Sequence, residues 1–208
     1  MSIEIWLAFV AASAVLLIIP GPTILTVISY AMARGRSAGP ALVTGVALGD
    51  STALVVSLLG LGALLAASAF CFTVIKLIGG MYLLYLGIRM LRAGFSATEV
   101  AGRAAPDSRQ RLFLNTYLVT AFNPKSIMFF VAFLPQFVNH SADVTQQFVL
   151  LAVTFVVMAA ANAGLYSVFA GSAHRLLSSP RAQKSLNLAG GSLLSAAGVW
   201  ALLARHAA

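Results

Sequence analysis

Charged side chains are scarce in this chain. They make up 9% of its 208 residues, against about 25% in a soluble domain. So few charges cannot cover a water-facing surface, which excludes a soluble globular protein. Acids are scarcer still, with five Asp and Glu against thirteen Lys and Arg. The resulting net charge of +8 does not mark a nucleic-acid binder. The basic residues are dispersed in short clusters between apolar runs and build no basic face. Cysteine is limited to Cys71, which excludes an intramolecular disulfide and a dithiol electron carrier. The histidines are His140, His174 and His206, all in connections or the tail. A histidine metal cluster inside the membrane and a Ser–His hydrolase site are thereby excluded, and nothing calls for a cofactor. No basic residue precedes the first apolar run, so Met1-Ser2-Ile3-Glu4 leads into a retained span and not a cleavable signal.

What is abundant is apolar sequence, at 60% of residues with mean hydropathy +0.95. Six runs approach or exceed the roughly 20 residues a span needs: about 5–32, 40–66, 72–91, 112–138, 147–172 and 186–204. The fold class is therefore an all-α integral membrane protein with six transmembrane helices. The connections set its orientation. Arg34, Arg36, Arg89, Arg92, Arg103, Arg109, Arg111, Arg175, Arg181 and Lys184 fall on one side, ten of the thirteen basic residues. That side is cytoplasmic, and both termini face outward. Residues 93–111, rich in Gly, Ala, Ser and Arg, read as a cytoplasmic linker between a first half, 1–92, and a second half, 112–208.

Two of the runs are interrupted. Pro20-Gly21-Pro22 breaks the first and Asn123-Pro124-Lys125 the fourth. Proline lacks an N–H and clashes with the preceding turn, so each span splits into half-helices. The freed backbone groups are tolerable only where the break is buried in protein or lines a polar cavity. Paired breaks in corresponding places of two halves point to a transport site near the midplane.

The halves also carry a repeat. Lys76-Leu77-Ile78-Gly79-Gly80 aligns with Asn187-Leu188-Ala189-Gly190-Gly191. At the same offset Leu83 meets Leu194, Gly87 meets Gly198 and Leu91 meets Leu202. A three-span unit repeated in tandem inserts with opposite orientation, because three is odd, so the repeats are inverted. The glycines at helical spacing serve close helix packing within one subunit. A homo-oligomer face is the lesser use.

Asp50 and Lys125 lie deep in spans two and four, where a charge costs at least about 2.5–3.5 kcal/mol. Asp50 reads as a substrate-ammonium or proton site, or as a structural partner of Lys125. Lys125 has three roles open to it: holding a substrate carboxylate, neutralising Asp50, or capping carbonyls freed by the break. Together they are the minimum apparatus for a zwitterion. The half-helix N-termini at Pro22 and Pro124 add partial positive charge. Asn123 suits the N-cap of the half-helix beginning at Pro124. Asn162 holds in the second half roughly the place of Asp50 in the first, and suits a substrate contact or an internal network. Thr23, Thr26 and Ser126 follow the breaks and suit refilling of freed carbonyls.

Taken in order, these stretches resemble the LysE/RhtB family of bacterial amino-acid exporters, over the whole chain. The resemblance rests on Pro20-Gly21-Pro22, on the segment from Lys76 to Gly87 and on Asn123-Pro124-Lys125-Ser126. It rests also on Phe133-Leu134-Pro135-Gln136-Phe137. The closing Arg205-His206-Ala207 is similar to that of homoserine/threonine-type members. The resemblance implies efflux of amino acids or close derivatives across the bacterial inner membrane, driven by protons. It also implies that the two broken segments matter to the mechanism. A lone intramembrane acid favours neutral over basic amino acids. The alternative is an exporter of another small solute or of a metal cation on the same six-helix plan. An enzyme finds no support.

Overall fold

The computed structural model describes residues 1–67, 69–93, 108–139 and 141–203. Most of the linker, His140 and the closing Arg205-His206-Ala207 lie outside the described residues, as do the side chains of Cys71 and Lys76. The architecture is all-α, and among the described residues there is no strand. Helices long and apolar enough to cross a membrane cover Pro22–Gly60, Arg109–Phe137, Val144–Val168 and Pro180–Leu203. Ile3–Ile18 is a shorter apolar helix.

Both expected breaks are present. α1 (Ile3–Ile18) stops before Pro20, and α2 (Pro22–Arg34) starts with proline in its first turn. A 3₁₀ turn at Gly35–Ala38 leads into α3 (Gly39–Ala67), and α4 (Ala69–Ala93) follows. α5 (Arg109–Ala121) is capped by Ser108 and so begins inside the stretch read as linker. It ends before Asn123, whose side chain caps the short α6 (Pro124–Met128). Beyond α6 the chain does not resume a regular helix. It passes through a π turn, Phe129–Phe133, and a 3₁₀ turn, Leu134–Phe137. Pro135 cannot continue an α ladder, which accounts for the tightening. α7 (Val144–Val168) is capped by Asp143. α8 (Ala170–Ser178) is short and amphipathic, and α9 is Pro180–Leu203. His174 thus sits on a helix, where the sequence read a connection.

The second break is anchored by aromatic packing. Phe129, Phe133 and Phe137 follow one another at centroid spacings of 5.1 Å. Phe9 of α1, Phe155 of α7 and Trp200 of α9 close around them. Trp200 therefore packs into this cluster.

Glycines set the closest approaches. A methyl at Gly49 of α3 would lie 2.7 Å from Thr120 Cβ and 2.8 Å from the Tyr117 carbonyl of α5. α4 and α9 touch along two glycine pairs. A methyl at Gly87 would lie 2.7 Å from the Gly191 carbonyl, and one at Gly198 would lie 2.8 Å from the Gly80 carbonyl. Residue 80 faces 198 while 87 faces 191, so the helices run antiparallel. The two segments that align in sequence are the two that pack together. Under that alignment each glycine pair maps onto the other.

Candidate functional site

The break after Ile18 strands four carbonyls. In a continuous helix the carbonyls of Leu16, Leu17, Ile18 and Ile19 would accept from residues 20, 21, 22 and 23. Pro20 and Pro22 have no N–H to give. The Ile19 N–H turns back to Val15, which closes the ladder one residue short of the stranded set. Carbonyls at a helix end need other donors when they are buried.

Every one of the four finds a side-chain donor from the other half of the chain. The Lys125 ammonium donates to the Leu16 carbonyl at 2.9 Å and to the Ile19 carbonyl at 2.8 Å. Asn162 Nδ2 donates to the Leu17 carbonyl at 3.0 Å. The Tyr166 hydroxyl donates to the Ile18 carbonyl at 3.0 Å. Of the three roles open to Lys125, capping is the one this geometry displays. Tyr166 is the residue sequence reasoning passed over. It lies one helical turn beyond Asn162, on the same face of α7, and that spacing was the available signal.

Local structure aims each of these groups. Asn123 Oδ1 accepts from the Lys125 N–H at 3.1 Å, which starts α6 and sends the lysine side chain back toward α1. Asn123 Nδ2 donates to the Thr23 hydroxyl at 3.1 Å, tying the second break to the first. Gly21 lets the lysine pass. A Cβ there would lie 3.2 Å from Lys125 Nζ and 3.3 Å from Cε. Thr26 bonds the Pro22 carbonyl at 2.8 Å, within its own helix.

Asp50 completes the wall. It is 3% exposed, and its Oδ1 has no protein hydrogen-bond partner. Asp50, Lys125, Asn123, Asn162 and Gly21 line one cavity, together with Thr23, Ile24 and Ser126. Pro20 and Pro22 flank it through the backbone they shape, and Pro124 does so at the second break. The N-terminus of α2 carries no side-chain cap, and the cavity is bordered by the end of α1 at Leu16 and Leu17 and by the start of α2 at Gly21, Thr23 and Ile24. Its volume is about 20 Å³, room for one water. A larger cavity of about 280 Å³ shares Leu16 with it, walled by apolar residues such as Leu83, Phe133 and Trp200. That space offers no handle for a charged headgroup, so the small polar cavity is the candidate site. Among the described residues, no three of His, Cys, Asp and Glu come together as metal ligands would.

Comparison with known proteins gives an outside view of this arrangement. The family model described as LysE type translocator matches residues 4–205. An uncharacterized membrane protein of Vibrio cholerae is 33% identical over 201 residues, covering 96% of this chain and 97% of its own. The homoserine/homoserine lactone efflux protein of Salmonella typhi is 32% identical over 207 residues, covering 100% of both chains. A leucine efflux protein of an Enterobacter species is 29% identical over 147 residues, 70% of each chain. No solved structure matches this chain.

Proposed function

Since the chain belongs to the LysE type translocator family, we propose that it exports small neutral amino acids from the cytoplasm by proton antiport. At the coarser level it is a multi-pass membrane transporter of an amino-acid efflux family, not an enzyme. The relatives are named for efflux of homoserine, homoserine lactone and leucine, none of which has a charged side chain.

One observation carries the reading. The Pro20-Gly21-Pro22 break sets the end of α1, at Leu16 and Leu17, and the start of α2, at Gly21, Thr23 and Ile24, around a single small cavity. Carbonyls suit an ammonium and helix-start amides suit a carboxylate, so one break serves both ends of an amino acid. Asp50 is the acid on the same wall and is the proposed proton carrier. Lys125, Asn123 and Asn162 are the proposed side chains of the site.

The six-span plan of two inverted halves belongs to the same proposal. The exchange of Gly80–Gly198 for Gly191–Gly87 under the sequence repeat supports a two-fold relation between halves. Basic residues concentrated in the cytoplasmic connections support periplasmic termini in a bacterial inner membrane. A cavity of about 20 Å³ is too small for an amino acid, so binding requires the halves to move apart around it. Rocking of the halves would open it alternately to each side.

The test is release of amino acids from cells preloaded with a panel of dipeptides. Selective release of threonine, homoserine or another neutral amino acid, lost in Asp50→Asn, supports the reading with Asp50 in the cycle. Release retained in that variant removes the proton role. No release of any amino acid from membrane-inserted protein refutes the substrate class and favours another small solute or a metal cation.

A further inference from the structure

We propose that Lys125 is a tethered stand-in for the substrate: its ammonium fills the ammonium site of the empty transporter, and the arriving amino acid displaces it. This deepens the amino-acid reading above and rests on it.

The argument begins with the acceptors. Lys125 Nζ sits on the Leu16 and Ile19 carbonyls at 2.9 and 2.8 Å. Those are the acceptors that a substrate ammonium would seek at this break. A lysine ammonium and an amino-acid ammonium are both compact cations with three N–H donors. Two like charges crowded onto the same pair of buried carbonyls repel, so one ammonium excludes the other. Asn162 and Tyr166 already donate to the carbonyls between, Leu17 and Ile18, so each of the four carbonyls at this helix end holds a donor.

An empty transporter also has to return. During that return the stranded carbonyls stay buried, and an unpartnered buried polar group is costly. A built-in ammonium removes that cost while no substrate is bound. A cavity too small for any amino acid is what this arrangement favours.

Displacement needs a second seat for the lysine. Asp50 provides it. Its buried Oδ1 has no protein partner and lines the same cavity as Lys125. Substrate binding would thus move the lysine from carbonyls to carboxylate, linking occupancy of the site to the charge state of the acid. No bond is made or broken, and the ammonium keeps its protons throughout.

Net efflux requires the empty carrier to return, whereas exchange does not. The experiment therefore compares the two in liposomes holding the purified full chain, with labelled homoserine as probe. Lys125→Ala is expected to lower net efflux roughly tenfold or more. Exchange against external unlabelled homoserine should fall severalfold less than net efflux does, because the substrate supplies the missing donors. Propylammonium should restore net efflux by refilling the carbonyls. Tetramethylammonium, with the same charge and no N–H, should not. Gly21→Ala keeps the charge and has an extended backbone open to alanine, φ −128° and ψ −172°. Its methyl crowds the lysine tip, so the same split should appear in weaker form if Lys125→Ala does not fold. Parallel loss of both modes in folded protein, or full retention of both, overturns the proposal. Wild-type vesicles that move homoserine in neither mode count instead against the export reading.

Discussion

The Lys125 ammonium donates to the Ile19 carbonyl at 2.8 Å, across a sequence separation of 106 residues. That bond joins the two breaks of the chain. It places a charge of the second broken span at the end of the first half-helix. The prolines make the arrangement necessary, because Pro20 and Pro22 deny Leu16 and Ile18 their usual partners.

Restoring a backbone donor should therefore reduce function without loss of stability. Pro20→Ala returns an N–H that can reach the Leu16 carbonyl and competes with Lys125 for it. The expected outcome is lower efflux in the dipeptide assay with a melting temperature in detergent no lower than wild type. A variant that melts earlier and exports normally would contradict this account of the break.

Tyr166→Phe removes the hydroxyl that donates to the Ile18 carbonyl and changes little else. The loss should be about 0.5–1.5 kcal/mol, the net worth of one hydrogen bond. It is read as earlier unfolding in detergent together with reduced efflux. Ile18 cannot recover a backbone donor, since residue 22 is proline.

Asn123 performs two jobs that substitutions can separate. Asn123→Asp keeps the acceptor for the Lys125 N–H but loses the donor to Thr23. Asn123→Ala loses both, and the cap alone is worth about 1 kcal/mol. Stability should fall in the order wild type, Asn123→Asp, Asn123→Ala. The reverse order of the two variants would mean that capping is not the dominant role.

Helix approach near Asp50 is set by Gly49. Gly49→Ala puts a methyl within 2.7 Å of Thr120 Cβ and 2.8 Å of a backbone carbonyl. Overpacking of this kind costs about 1–3 kcal/mol. Because Asp50 is the next residue, efflux should fall as well. Gly60→Ala is the control, as nothing lies within 4 Å of its added Cβ, and it should behave as wild type in both measurements.

The sequence by itself determined the membrane character, the two breaks and the chief polar residues of the cavity. Composition fixes the first, because scarce charge leaves the apolar runs nowhere to go but lipid. Proline fixes the second covalently, whatever surrounds it. Asp50 and Lys125 stood out because a buried charge is costly and needs a purpose. The pairing of the Gly80 and Gly191 segments was half visible as a repeat, while their mutual contact was not.

Only the tertiary structure decided which donor meets which carbonyl. Lys125 had several uses open to it, and a flexible side chain can be aimed only by what packs around it. Its direction depends on the Asn123 cap, which is local, and on the space at Gly21, a contact between distant parts of the chain. Tyr166 was marked only by its spacing from Asn162, for the same reason. A tyrosine in an apolar helix has many uses, and its role follows from facing an unsatisfied carbonyl that lies 148 residues away in sequence.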